Sequence, residues 1–333
     1  MSKVATRLRS LSVLIQSSIS EITSTLIMEI KGDVPNYWRQ HEHKGIMYPN
    51  VVLDSSIERL KSFQVRDDDI WILTYPKAGT HWMMEIIGLI LSGGDPDKID
   101  RSLYCNTVEM INLDQYFPQT KEEEKLHPLD MSPFLDVIER APSPRAMLTH
   151  LQYDLLPRDI LKSKIVYMAR NPKDMIVSWF QFVGKNPAIP LKMDTAIEQF
   201  VDGKMQWGPW PVHVRTFWEL REHKNIFFLF YEDLKKEPAK YIEKIANHIG
   251  HPLSEENLQK VVKFSHIDSQ KATFGKLAES GKINYVKYGG EYAFLNKGVN
   301  YRWKQFFTVA QNEAFDEWYQ EMMADTDLKF TFE

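Results

Sequence analysis

Cysteine is nearly missing from this chain: Cys105 stands alone among 333 residues. One thiol closes no internal disulfide, and there is no cysteine pair from which to build a thiolate zinc site. That usage suits a reducing compartment. Long apolar runs are missing as well. No stretch of 18 or more apolar residues occurs, so the sequence predicts no membrane span. Nor is there an excess of positive charge. Lysine and arginine number 41 against 45 acids, for a net charge of −4. This argues against nucleic acid or an anionic membrane surface as a partner. Any anionic ligand must then be met by a local cluster of cations. No internal repeat, low-complexity tract or clear domain linker is visible.

What is present is ordinary globular composition, 43% hydrophobic and 26% charged, enough for one large α/β domain or two small ones. The chain reads as an extension over residues 1–60 and one domain over 61–333. In the extension, Val4, Leu8, Leu11, Ile15, Ile19, Ile22 and Leu26 recur at helical spacing. Lys3, Arg7 and Arg9 are cationic, and no acid precedes Glu21. Two readings fit: an amphipathic helix on the domain or in solvent, or a mitochondrial transit peptide. Residues 31–66 read as polar and irregular. The pair His41 and His43 lies there without a third ligand, so it reads as solvated loop rather than metal site.

From Asp67 onward, short apolar runs alternate with helical patterns. Strands are predicted at Ile70–Tyr75, Ala146–His150, Lys164–Met168 and Ile226–Phe230. Helices are predicted at Thr80–Leu91, Pro172–Val183, Pro238–Ile249, Ser254–Phe264 and Val309–Met323, with a broken helical stretch over Ala196–Leu220. Gly93–Leu135 reads as a loop-rich lid or binding segment, and Gln270–Asn300 as irregular. Strands separated by helices mean βαβ units, hence an α/β fold with a central parallel sheet and helices on both faces.

Within that pattern, WILTYPKAGTHWMMEII, Trp71–Ile87, carries the first chemical signal. A strand stops at a proline, a lysine follows, and a helix starts at Thr80. Ligands of open α/β sheets bind at strand carboxyl ends. A helix start leaves backbone N–H groups unpaired. Gly79 lets the backbone approach a ligand closely, Lys77 adds a full charge and Thr80 a hydroxyl. Together they make an anion cradle suited to phosphate. It is not a Walker P-loop, since the lysine precedes the glycine. The plain alternative is a strand-to-helix turn with a solvated lysine.

A second cation cluster closes the third strand in YMARNPKDMIVSWF, Tyr167–Phe180. Arg170 ends the strand, Pro172 suits a first helical turn, and Asp174 favours the helix start through the dipole. Ser178 alone reads as a surface serine. Paired with Arg170 it could share one anion. Two anion sites at two strand ends suggest a ligand with two separated phosphates. At the end of the second strand, His150 is placed to act as a general base near neutral pH, or as a hydrogen-bonded structural histidine.

Taken together these segments resemble the cytosolic sulfotransferases. TYPKAGTHW looks like the family's TYPKSGTTW loop, which implies that Lys77, Ala78, Gly79, Thr80, His81 and Trp82 hold the 5′-phosphosulfate end of PAPS (3′-phosphoadenosine 5′-phosphosulfate). Arg170 and Ser178 match the family's 3′-phosphate contacts. LFYEDLKKEP, Leu229–Pro238, places Tyr231 toward the adenine, with His266 of KFSHID where phenylalanine is usual. FLNKGVNYRW, Phe294–Trp303, resembles the RKGxxGDW closing loop, which implicates Asn296, Lys297 and Gly298. KQFFTVAQNE fits the KxxxTVxxxE dimerisation pattern through Lys304, Thr308, Val309 and Glu313. The likeness runs from about Ser62 to the C-terminus.

It implies a PAPS-dependent sulfotransferase that needs no metal, with His150 and Lys77 catalytic. Met110, Leu113, Phe182 and Phe294 would line an apolar acceptor pocket around His150. The acceptor would be a small lipophilic alcohol, phenol, steroid or amine, and the location cytoplasmic. The chain departs from the pattern at His81, Leu148, Asn296 and Tyr301–Arg302. Those departures bear on nucleotide affinity and turnover more than on fold. They keep open a nucleotide-binding homologue with weak or lost activity. A nucleotide kinase is the other alternative, against which the lysine–glycine order stands.

Overall fold

The computed structural model describes residues 40–99, 134–184, 191–279, 287–288, 291–292 and 298–333. The N-terminal stripe, most of the Gly93–Leu135 segment, and Met110, Leu113, Phe294, Asn296 and Lys297 lie outside the described residues.

The chain enters as a hairpin, β1 Gln40–His43 and β2 Ile46–Pro49, followed by α1 Asp54–Leu60. This corrects the irregular reading of 31–66. The turn is Lys44-Gly45, with φ of 52° and 80°, the left-handed pair that a two-residue hairpin needs. Lysine carries no turn signal, which hid it. Neither histidine floats in solvent. His41 Nε2 lies 2.9 Å from Asp54 and His43 Nδ1 3.1 Å from it, which fastens α1 to the hairpin. Among the described residues no group of three or more His, Cys, Asp or Glu is placed to hold a metal ion.

Four parallel strands form the central sheet: β3 Ile70–Thr74, β4 Ala146–Thr149, β5 Lys164–Ala169 and β6 Ile226–Phe230, in the order β4-β3-β5-β6. Between β3 and β4 come α2 Thr80–Leu91 and α3 Phe134–Arg140. The chain continues through α4 Pro172–Val183, α5 Met193–Val201 and α6 Trp210–Glu219 before β6. After it come α7 Tyr231–Lys236, α8 Pro238–His248, α9 Glu255–Ser265, α10 Ile267–Glu279, the short antiparallel pair β7 Lys287–Tyr288 and β8 Glu291–Tyr292, and α11 Val309–Met322. The helix over Ile267–Glu279 replaces the irregular reading from Gln270, where Gly275 interrupts the periodicity without breaking the helix.

β3 is buried at every position, as a strand covered on both faces must be. Its side chains alternate between two cores. Trp71 and Leu73 join Tyr167 and Phe217 on one face, while Ile70 and Ile72 join Met83, Val166 and Leu234 on the other. Leu148 packs into the second of these cores, at 2% exposure.

The edge of the sheet opposite the strand exits is pinned by a buried ion pair. Arg145 Nε and Nη2 donate to the two oxygens of Asp69 at 2.7 and 2.5 Å, and neither side chain is more than 2% exposed. Removing one partner leaves the other charge buried and uncompensated. Asp69→Ala is therefore expected to cost about 3–5 kcal/mol, read as a lower denaturation midpoint in urea. A second buried cation, Lys173, donates to Asn312 and Asp316 and lies 4.4 Å over the Trp303 ring. It ties the start of α4 to α11.

Candidate active site

A candidate residue stands at the carboxyl end of every strand in the sheet. Thr74 ends β3, His150 follows β4, Arg170 follows β5 and Tyr231 follows β6. Parallel strands put these ends on one edge. β3 pairs with β4 on one side and β5 on the other, so the chain changes direction there. Such a switch point opens a crevice above the strand ends.

The turn after β3 has a forced shape. Lys77 has φ 71° and Gly79 φ 108°. A Cβ on Gly79 would sit 2.7 Å from Tyr231 Cδ2 and 2.8 Å from Met168 Cε. Only glycine allows the loop to lie this close to β5 and α7. Gly79→Ala is expected to lower stability by about 1–3 kcal/mol and to weaken anion binding as the loop is pushed outward. Thermal melts and nucleotide titration would check this. Thr80 Oγ1 shares a hydrogen bond with Thr74 Oγ1 at 2.7 Å. Ala78 packs its methyl into the core beneath, leaving only its backbone to face a ligand. Lys77 Nζ lies 4.0 Å from the centre of the Phe182 ring.

The His150 imidazole is oriented by backbone. Its Nδ1 lies 2.7 Å from the carbonyl oxygen of Thr74. A carbonyl only accepts, so Nδ1 carries the proton and Nε2 the lone pair. Burial pulls the His150 pKa down to about 4; the Thr74 carbonyl opposes this, and the Lys77 charge pushes the same way. His81, the second residue of α2, is brought down to about 3 by burial, with Lys77 and His150 adding to the effect. Both rings are neutral at pH 7. Behind them His213, fully buried and bonded to Tyr167 at 2.8 Å, is held down at about 3 by burial first.

These shifts have a stability consequence. Between pH 6.5 and about 4 the unfolded chain binds protons that the folded chain refuses, so stability is lost as pH falls through that window. Each such histidine removes up to about 1.4 kcal/mol per pH unit there. A lower calorimetric Tm at about pH 5.5 than at about pH 7.5 is expected.

Arg170 is 9% exposed. Its Nη1 donates to the Lys77 carbonyl at 3.0 Å and its guanidinium lies 4.4 Å over the Tyr231 ring. Its Nε is buried with no partner among the described residues. Tyr231 in turn meets Trp82 edge-on at 5.2 Å. α4 begins at Asn171, whose side chain accepts from Lys173 N and Asp174 N, and Ser178 follows on its cavity-facing side.

These groups surround one cavity of about 430 Å³. Lys77, Gly79, Thr80, His81 and Trp82 line it from the β3 turn. His150, Arg170, Ser178 and Phe182 contribute from β4, β5 and α4. Tyr231, His266 and Gly298 close the far side, with most of the His266 ring exposed at the rim.

Among the lining residues that the sequence did not assign to the site are Asp174, Lys235, Arg302 and Trp207. The first three lie within the motif segments Tyr167–Phe180, Leu229–Pro238 and Phe294–Trp303. Asp174 accepts from Tyr301 N at 2.6 Å and Trp303 N at 3.1 Å. It thereby fastens the C-terminal segment over α4, where Tyr301 takes φ 59°. Arg302 reaches Gln181 one turn beyond Ser178. Trp207 carried no signal beyond its glycine neighbour.

A family model described as the sulfotransferase domain matches residues 67–327. The chain belongs to the sulfotransferase family. Mouse sulfotransferase 1A1 is 35% identical over 285 residues, 83% of this chain and 91% of the relative. Human sulfotransferase 1C2 is 33% identical over 316 residues, 92% of this chain and all of the relative. The crystal structure of mouse sulfotransferase SULT7A1 complexed with PAP superposes with a TM-score of 0.68 at 29% identity, covering 86% of this chain and 95% of that one. A retinol dehydratase structure shares the fold at TM-score 0.71 and 24% identity, covering 92% and 96%.

Proposed function

We propose that this sulfotransferase moves a sulfuryl group from PAPS to a hydroxyl or amine of a small lipophilic acceptor such as a phenol, a steroid or another alcohol. The reading is carried by one observation: an imidazole tautomer set by the Thr74 carbonyl stands in the same cavity as Lys77 and a buried arginine with an unsatisfied N–H.

The residues present fit the nucleotide. Arg170 Nε is buried without a partner among the described residues, the glycine of the β3 turn allows a close approach, and α2 begins at that same turn, where a helix N-terminus favours an anion. PAPS supplies the transferable sulfuryl group and, in 3′,5′-ADP, the leaving group. Lys77, Gly79, Thr80, His81 and Trp82 would hold its 5′ end. Arg170 and Ser178 would hold its 3′-phosphate, with Asn296, Lys297 and Gly298 closing over it. Tyr231 and His266 would face the base.

His150 Nε2 takes the proton of the acceptor hydroxyl as that oxygen forms its bond to sulfur. The bond from sulfur to the bridging oxygen breaks, and Lys77 stabilises the charge that the bridging oxygen gains. Phe182, Met110, Leu113 and Phe294 would present the acceptor, as an apolar wall around one polar group suits a lipophilic alcohol. The sum of these roles is positioning and charge stabilisation, the main resources for this class of transfer.

Turnover with PAPS and a panel of alcohols, phenols and amines tests the proposal. Transfer to at least one of them is expected. Stabilisation by 3′,5′-ADP without turnover would instead favour a nucleotide-binding homologue. Preference for ATP would favour a kinase. The proposed location is the cytoplasm.

A homodimer is proposed through the segment Lys304–Glu313. Val309 is 75% exposed at the start of α11, where Thr308 and Gln311 complete a capping box. That leaves an apolar side chain on a rigid helix end. Val309→Glu is expected to leave a monomer by sedimentation, with turnover retained.

A further inference from the structure

The connection from α5 to α6 holds two successive residues in the left-handed region, Trp207 at φ 77° and Gly208 at φ 83°. Glycine adopts that backbone freely, whereas a bulky side chain is strained in it. Trp207 is also 3% exposed, and three elements grip its backbone. Its N–H donates to Met47 O at 2.9 Å, in β2. Its carbonyl accepts from Gln152 Nε2 at 3.0 Å, just past β4. The next carbonyl, that of Gly208, accepts from Tyr75 Oη at 2.7 Å, just past β3. Tyr48 meets the indole edge-on at 5.4 Å. A strained residue persists only where its surroundings over-determine it, and such residues gather at functional sites.

The indole thus held packs edge-to-face on the His150 imidazole, with centroids 5.1 Å apart and planes at 67°. Both rings line the cavity. The Thr74 carbonyl and hydroxyl both meet His150 Nδ1, at 2.7 and 3.2 Å; contacts at that one nitrogen do not by themselves stop the ring from swinging about it. The indole occupies one side of that swing. We infer that Trp207 is a positioning residue: its strained backbone braces the indole against His150, keeping Nδ1 on the Thr74 carbonyl and Nε2 turned away from it. This rests on His150 acting as the base.

The test compares Trp207→Ala and Trp207→Phe with the unaltered protein. The measurements are kcat at saturating PAPS and acceptor, affinity for 3′,5′-ADP, and the ¹⁵N shifts of the His150 ring. For Trp207→Ala, kcat is expected to fall about 10–100-fold, the cost of a misplaced catalytic group. Nucleotide affinity should not change, and the ¹⁵N shifts should move from a single Nδ1–H tautomer to a mixture. Trp207→Phe, which keeps a flat ring edge, is expected to restore most of kcat. If Trp207→Ala does not fold, Trp207→Leu replaces it, keeping apolar bulk without the ring edge. Unchanged kcat with a raised acceptor KM, or a preserved tautomer, would overturn the inference and leave Trp207 as pocket wall. Near-normal turnover in His150→Ala would overturn the base and this inference with it, whereas a preserved tautomer in Trp207→Ala overturns the inference alone.

Discussion

His150→Ala is expected to lower kcat by about 10²–10⁴-fold, the usual loss when a positioned general base is removed. Affinity for 3′,5′-ADP should stay within about twofold, because the ring acts on the acceptor rather than on the nucleotide. The geometry makes the effect specific. The Thr74 carbonyl fixes the tautomer, and burial with the Lys77 charge keeps the ring unprotonated well below neutral pH. The acid limb of kcat/KM in the free enzyme should accordingly lie near the depressed value of about 4 rather than near 6.5. His150→Gln, which keeps polarity but accepts no proton, should be as impaired as alanine. Transfer at near-normal rate in either variant would show that another group takes the proton.

Arg170→Ala should act first on the nucleotide. Charged hydrogen bonds are worth about 1.5–3 kcal/mol each, so 3′,5′-ADP affinity is expected to fall about 10–100-fold. A smaller loss is expected for 5′-AMP, which lacks the 3′-phosphate. A decline in kcat should accompany it, since Arg170 also holds the Lys77 carbonyl and covers Tyr231. Lysine at 170 should recover little, because one ammonium cannot serve the carbonyl, the ring face and an anion together. Isothermal titration with the two nucleotides separates these outcomes. Equal affinity in the unaltered protein and Arg170→Ala would take this residue out of the site.

Much of the fold was legible because its strands are buried on both faces. IWILT and IFFLF read as strands from composition alone, and two of the later helices start at recognisable signals, Asn171-Pro172 and Ser254. The hairpin over Gln40–Pro49 was not legible, since its turn residue is lysine and its strands are four residues long. The helix over Ile267–Glu279 was missed for the opposite reason: an internal glycine suggested a break that packing overrides. The candidate site followed the same division. Lys77, Gly79, Arg170 and His150 were visible because each closes a strand or opens a helix. Trp207 and Arg302 were not, because what matters about them is which distant residue they touch.

From the residues alone came the class of ligand. A lysine and a glycine at one strand end, an arginine at another and a histidine at a third point to an anion beside a base, whatever the sheet order. The order β4-β3-β5-β6 was decided only by folding. It sets Thr74 between His150 and Arg170, so that a carbonyl of one strand can choose the tautomer on its neighbour. Strand order, ring orientation and the strain at Trp207 depend on contacts between residues far apart in sequence, and local pattern does not encode those contacts.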